Sequence, residues 1–229
     1  MTILSVSSDA KTVKGEKKGY LTGILYMAPH SIGGFGNVCP MAGECKTPCL
    51  YHQGRARVFN SIQLARIERK RLYFKEPETY EMYLRADIMR LKAKAMQGGY
   101  IPVVRLNGTS DIFGAMYRRI VEDHPDIQFY DYTKVHRRLY DTLPDNYHLT
   151  LSRDEKNTIE CISALQVGKN VAAVFAIKKG QPLPDTWYGA PVVDGDETDL
   201  RFLDPPGVVV GLRAKGSAIK DTSGFVIHV

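Results

Sequence analysis

Three cysteines fall within eleven consecutive residues, Cys39, Cys45 and Cys49, spaced Cys-x5-Cys-x3-Cys in a loop spanning residues 37–55. Thiolates gathered this closely suit a metal centre. Structural zinc sites usually draw their ligands from two separated pairs, and no second pair is present here. Iron–sulfur clusters are held by thiolates from compact loops, and three protein thiolates leave one iron open to a further ligand. The spacing therefore points to an iron–sulfur cluster first and zinc second. A thiol/disulfide switch is the remaining alternative, although Cys45 and Cys49 are too far apart for a CxxC pair. The fourth cysteine, Cys161, falls in a predicted helix beside Ile159 and Ile162 and reads as a buried core thiol. His52, just beyond the loop's last cysteine, is a second candidate to complete the coordination.

A second set of polar residues recurs where predicted strands end. Arg105 lies in IPVVRL, which Asn107, Gly108, Thr109, Ser110 and Asp111 follow. Tyr132, Thr133 and Lys134 close IQFYDY, and Ser152, Arg153 and Asp154 follow YHLTL. Later strands end in Asp194-Gly195-Asp196 and in Arg213-Ala214-Lys215. Parallel α/β sheets build their sites from the loops at the carboxyl ends of their strands. On that basis Asp111, Asp154 and Lys134 are candidate catalytic residues. Arg105, Asn107, Ser110, Tyr132, Ser152, Arg153, Arg213 and Lys215 are candidates for binding an anionic substrate, through phosphates. The plainer alternative is helix capping, which Ser and Asp do well at such positions.

The elements that must position these residues alternate. Strands are predicted over Leu21–Met27, Ile101–Leu106, Ile127–Tyr132, Tyr147–Leu151, Val171–Ala176, Pro191–Val193 and Val208–Leu212. Between them helices are predicted over Asn60–Phe74, from Pro77 to the Gly98–Gly99 pair, over Ile112–Glu122 and over Lys156–Leu165, with a short one at Val135–Tyr140. On the first helix Leu64, Ile67 and Phe74 form the predicted apolar arc. Strands alternating with helices imply a parallel sheet: a partial or irregular βα barrel, or an open doubly wound sheet, with hairpins replacing helices after Lys178. Residues 1–19 read as a flexible arm or an edge element ahead of one α/β domain over 20–229.

The chain of 229 residues has a formal charge of +6, which permits a nucleic-acid partner without requiring one. The run Arg66–Arg71, with Arg55 and Arg57 upstream, is the candidate contact; a solvated helix face is the plainer reading. No stretch is apolar enough to span a membrane, and the Lys-rich start is unlike a secretory signal, so a reducing cytoplasm is expected.

The run CP-x4-C-x3-C-L-Y-H-Q-G-R resembles the cysteine loop of the bacteriophage family called "gene product eighty-eight". The likeness extends through VVRLNGTSDI, FYDYTK, YHLTLSRD and VVVGLRAKG. It implies a phage protein working in the host cytoplasm, and carries no particular reaction with it. More distantly, three cysteines after the first strand of a βα barrel are similar to the radical S-adenosylmethionine enzymes. That likeness implies a [4Fe–4S] cluster and leaves S-adenosylmethionine open as a cofactor. The chain departs from their Cys-x3-Cys-x2-Cys spacing and lacks a clear glycine-rich cofactor motif. The function expected is a metal-dependent enzyme acting on a nucleotide or nucleic acid. The alternative is a non-catalytic nucleic-acid-binding or host-interaction protein with a structural zinc loop.

Overall fold

The computed structural model describes residues 1–7, 10–47, 49–52 and 58–228. Among these residues nine strands form one mixed sheet in the order β1-β2-β3-β4-β5-β6-β9-β8-β7, and that sheet does not close on itself. The pairs β2/β3, β3/β4, β5/β6, β6/β9 and β8/β9 are parallel; β1/β2 and β7/β8 are antiparallel. This is the α/β architecture expected from the alternating pattern, in its open form. The chain divides into two compact units, 1–40 with 50–131 and 143–148, and 41–49 with 132–142 and 149–229.

In the first unit β2 (Tyr20–Leu25) and β3 (Ile101–Arg105) run side by side from Tyr20 opposite Ile101 to Ile24 opposite Arg105. The stretch 1–19 supplies an edge strand, β1 (Leu4–Val6), and a short helix, α1 (Ala10–Glu16). Helix α3 (Pro77–Gly98) opens on its proline and closes on Gly99, whose φ of 69° is the left-handed cap that glycine adopts without strain. It buries Tyr80, Leu84, Ile88, Leu91 and Ala95. A Cβ on Gly23 would stand 2.9 Å from Leu91, so β2 and α3 pack closely because that position is glycine. Asp87, also on the buried face, accepts the backbone N–H groups of Ile3 and Leu4 at 2.5 and 2.9 Å, fixing β1 against the helix.

Helix α2 (Asn60–Lys75) departs from the predicted arc: Leu64 is 66% exposed, while Arg66, Lys70 and Leu72 are buried. The reason is hydrogen bonding. Lys70 Nζ donates to the carbonyls of His30 and Ile32 at 2.6 and 2.9 Å, and Arg69 donates to that of Tyr26 at 3.1 Å. Arg66 lies over the rings of Tyr26 and Tyr51, and Arg71 pairs with Glu68 and Glu76. The basic run is engaged within its own unit. Arg55 and Arg57 lie outside the described residues.

Helix α4 (Ala115–Glu122) starts later than predicted, because the Asn107 side chain takes both the N–H and the carbonyl of Ile112 and holds that residue in a loop. Strand β4 (Gln128–Thr133) follows, and His136–Leu139 forms a single 3-10 turn.

Strand β5 (Tyr147–Ser152), whose residues from Leu149 belong to the second unit, ends ahead of α5 (Thr158–Gln166), and in that unit β6 (Val171–Phe175) pairs with β9 (Val209–Arg213) from Val171 opposite Val209 to Phe175 opposite Arg213. Helix α5 begins after Asn157 rather than at Lys156, because Asp154 has already taken the N–H groups of both residues. The hairpin expected after Lys178 joins β7 (Thr186–Trp187) to β8 (Ala190–Asp194). Tyr188 and Gly189 turn it, both at positive φ, as a tight two-residue hairpin demands. The C-terminal segment docks on β6 through Ile227 N–H to the Val174 carbonyl and Ala176 N–H to the Ile227 carbonyl, each at 2.8 Å. Val226 completes a small apolar cluster with Ala214 and Ala218.

Candidate functional site

Each unit gathers its own set of the candidate residues. In the first, Cys39 is partly exposed and its thiol reaches the Thr109 carbonyl at 3.5 Å, while its backbone N–H donates to the Asn37 side chain at 2.8 Å. Thr109 Oγ1 donates in turn to the Met27 carbonyl at 2.6 Å. Asp111 N–H donates to the Val38 carbonyl at 2.7 Å, so residues 107–111 brace the start of the cysteine loop. Gly108 is glycine because an added Cβ would stand 2.6 Å from the Tyr26 ring. Lys70 lies fully buried on the other side, close enough for the Cys39 charge to act on it, and burial lowers the lysine's own pKa.

Behind this loop sits a buried network. Asn107 Oδ1 accepts from the Ser110 hydroxyl and the Ile112 N–H at 2.8 and 3.0 Å. Asn107 also donates its backbone N–H and its side-chain amide to the two carboxylate oxygens of Asp131, at 2.7 and 2.8 Å. Tyr147 adds its hydroxyl at 2.9 Å. Asp131 has no exposed surface, and burial pushes its pKa up to about 6 against the pull of Arg105 and of the bonds from Asn107 and Tyr147. Asn107 and Ser110, expected to meet substrate, are buried and bonded to their own loop.

The second unit holds Cys45, Cys49, Lys134, Asp154 and Glu155. Cys45 rides on a 3-10 turn over Gly43–Lys46. Gly43 has φ of +46° there, and a Cβ on it would stand 2.7 Å from a Glu155 carboxylate oxygen. That same oxygen accepts the Glu44 N–H at 3.3 Å. Lys134 Nζ lies 3.8 Å from Asp154 Oδ2 and 4.8 Å from the centre of the Phe225 ring. The Cys45 thiol is pushed up chiefly by burial, drawn down by Lys134, and raised further by Cys49, Asp154 and Glu155. The other four groups thus lie within electrostatic reach of this one thiol. Asp154 does two jobs: one oxygen forms the turn ahead of α5 and the other faces Lys134.

The other candidates of this unit are tied internally. Arg153 donates to the Gly224 and Phe225 carbonyls at 2.5 and 2.9 Å and so holds the C-terminal segment. Arg213 bonds Asp194 at 2.8 Å and the Gln181 carbonyl, and Lys215 bonds Asp196 at 2.5 Å. Tyr132 donates to Asp199 at 3.3 Å, and the Ser152 carbonyl accepts from Asn157. Cys161 is buried, bonded to Asn157 at 3.4 Å and pushed up to about 12 by burial, as a core thiol should be.

Asp111 and Cys39 fall in the first unit; Cys45, Cys49, Lys134 and Asp154 fall in the second. Among the described residues no three His, Cys, Asp or Glu side chains are gathered into a group able to hold a metal ion. The sequence reading assigned no role to Asp131, Glu155 or Phe225. Asp131 gives a signal, a lone carboxylate inside an aromatic strand; Glu155 and Phe225 give none.

The family model described as "Gene product 88" matches residues 2–229, and the chain belongs to that family. No curated protein and no solved structure matches the chain, so the radical-enzyme likeness draws no support from those comparisons. No described helix is long and apolar enough to cross a membrane.

Proposed function

Taking membership of that family as the premise, we propose that the chain is a metal-dependent enzyme whose loop thiols Cys39, Cys45 and Cys49 hold the metal, an iron–sulfur cluster in preference to zinc. The substrate is an anion of the nucleotide class. The observation that carries this is the second-unit cluster: two partly exposed thiols outside any disulfide, with Lys134 and Asp154 acting on one of them. Structural zinc sites close with four protein ligands, and this loop supplies three cysteines. An open site serving an anion needs a cation beside it. Lys134 lies 3.8 Å from an Asp154 carboxylate oxygen and 4.8 Å from the centre of the Phe225 ring, whose face supports its charge.

Metal bound by the thiolates would supply an open coordination position. The chain's own residues do the rest: Lys134 pairs with the substrate's phosphate, Asp154 orients Lys134, and the Glu155 carboxylate stands beside the turn that carries Cys45. The alternative of a nucleic-acid-binding module relied on the run Arg66–Arg71, whose cations are engaged within their own unit. The test is equilibrium binding of nucleoside mono-, di- and triphosphates to anaerobically purified protein. Binding should tighten with phosphate number and weaken at least tenfold in Lys134→Met, with unchanged circular dichroism. Equal binding by Lys134→Met, or none by the wild type, removes the substrate half of the proposal.

A further inference from the structure

Helix α3 has a second apolar face, turned away from the core. Its 22 residues bury Tyr80, Leu84, Ile88, Leu91 and Ala95 on one side. Met82, Ala86, Met89, Ala93 and Met96 recur at alternating intervals of four and three on the other side. The three methionines are 58%, 56% and 71% exposed. Intervals of four and three place side chains in one seam along a helix, the pattern of a two-helix coiled coil. Scattered exposed methionines need no explanation, but a continuous stripe of them does.

The flanks of the seam say what covers it. Arg85 bonds Glu81 and Asp123 at 2.8 Å each, Arg90 bonds Asp87, and Lys92 bonds Asp126. These bordering cations already have carboxylate partners. A lipid surface or nucleic acid would call for cations free to meet phosphate; an uncharged seam with internally paired borders suits another protein. The order of side chains then selects the partner. Set antiparallel against its own copy, the helix puts Met82 opposite Ala93 and Ala86 opposite Met89, so every layer joins a long side chain to a short one. A parallel pairing would stack methionine on methionine and leave voids at the alanines. Around Ala86 the surface is already hollowed: Met1, Thr2, Met82, Tyr83, Ala86 and Arg90 line a groove of about 420 Å³, open to a methionine side chain.

We infer that the chain forms a two-fold dimer through antiparallel α3 helices, with Met89 of each copy seated in the other's groove at Ala86. Four layers on one helix make a modest interface, so the dimer is reversible, with a Kd in roughly the micromolar range. The inference does not depend on the cysteine loop. Sedimentation equilibrium of the full chain from about 1 to several hundred micromolar reads the association. The wild type should pass from monomer to dimer, and both Met89→Glu and Ala93→Glu, at exposed positions, should weaken it on the order of a hundredfold. A photo-crosslinking residue in place of Met82 should attach to the segment around Ala93 of the second copy. A monomer at every concentration, a dimer indifferent to both variants, or a crosslink from position 82 to position 82 overturns the inference. So does a monomer whose seam binds anionic vesicles instead.

Discussion

Asp131→Asn tests whether the buried network behind the cysteine loop carries the charge assigned to it. In the folded protein Asp131 has no exposed surface, and its pKa is raised from an ordinary value near 3.8 to about 6, with burial as the largest cause. The folded state therefore holds this proton more tightly than the unfolded chain. Its stabilising contribution is complete below the unfolded value and is lost as pH rises through about 6. A displacement of about 2 pH units corresponds to about 3 kcal/mol. Asparagine keeps the shape and removes the titration. Urea unfolding of wild type and Asp131→Asn should be measured at half-unit steps from pH 3.5 to 7.5. The wild-type minus variant stability should fall by about 3 kcal/mol across that window, most of it between pH 4 and 6. All other groups cancel in the difference. A flat difference, or one that rises with pH, would refute the reasoning: the first would mean that Arg105 and the hydrogen bonds offset burial, the second that they outweigh it.

Three further outcomes follow from the geometry. Gly108→Ala places a Cβ 2.6 Å from the Tyr26 ring and should cost about 1–3 kcal/mol in urea unfolding, with faster hydrogen exchange at Asp111, whose N–H ties the loop to Val38. Asp87→Ala strips the acceptor from two buried N–H groups of β1 and should lose about 2–4 kcal/mol, with amide protection at Ile3 and Leu4 falling first. Lys70→Met leaves the His30 and Ile32 carbonyls without their donor; stability should drop by about 2–4 kcal/mol, and limited proteolysis should cut sooner between His30 and Cys39.

The sheet was legible from alternation because parallel strands are buried on both faces, and β2 and β6 are almost wholly apolar runs. Pro77 and Gly99 marked the ends of α3 through their own backbone constraints. The starts of α4 and α5 were misplaced for a shared reason: Asn107 and Asp154 take backbone groups of the residues that follow and delay the helix. Periodicity does not see that chemistry. It also misjudged part of α2: Leu64 is exposed while Ile67 packs against Gly33, and Lys70 is buried on that side because two loop carbonyls need a donor. For the candidate site, residue type told where carboxyl-end loops are polar. It did not separate side chains that close their own loops, such as Asn107, Ser110, Arg153 and Arg213, from Lys134 and Asp154, which stand near a thiol. That difference lies in partners distant along the chain.

The central claim is that Cys39, Cys45 and Cys49 hold a metal. Iron, zinc and acid-labile sulfide should be quantified in protein purified without oxygen, beside the Cys45→Ala variant. The protein should be brown, with iron and sulfide in comparable amounts and broad absorbance near ~400 nm, and the variant should fold normally but be colourless and iron-free. Colourless wild-type protein without iron, zinc or sulfide, or a Cys45→Ala variant that retains its full iron, would contradict that claim.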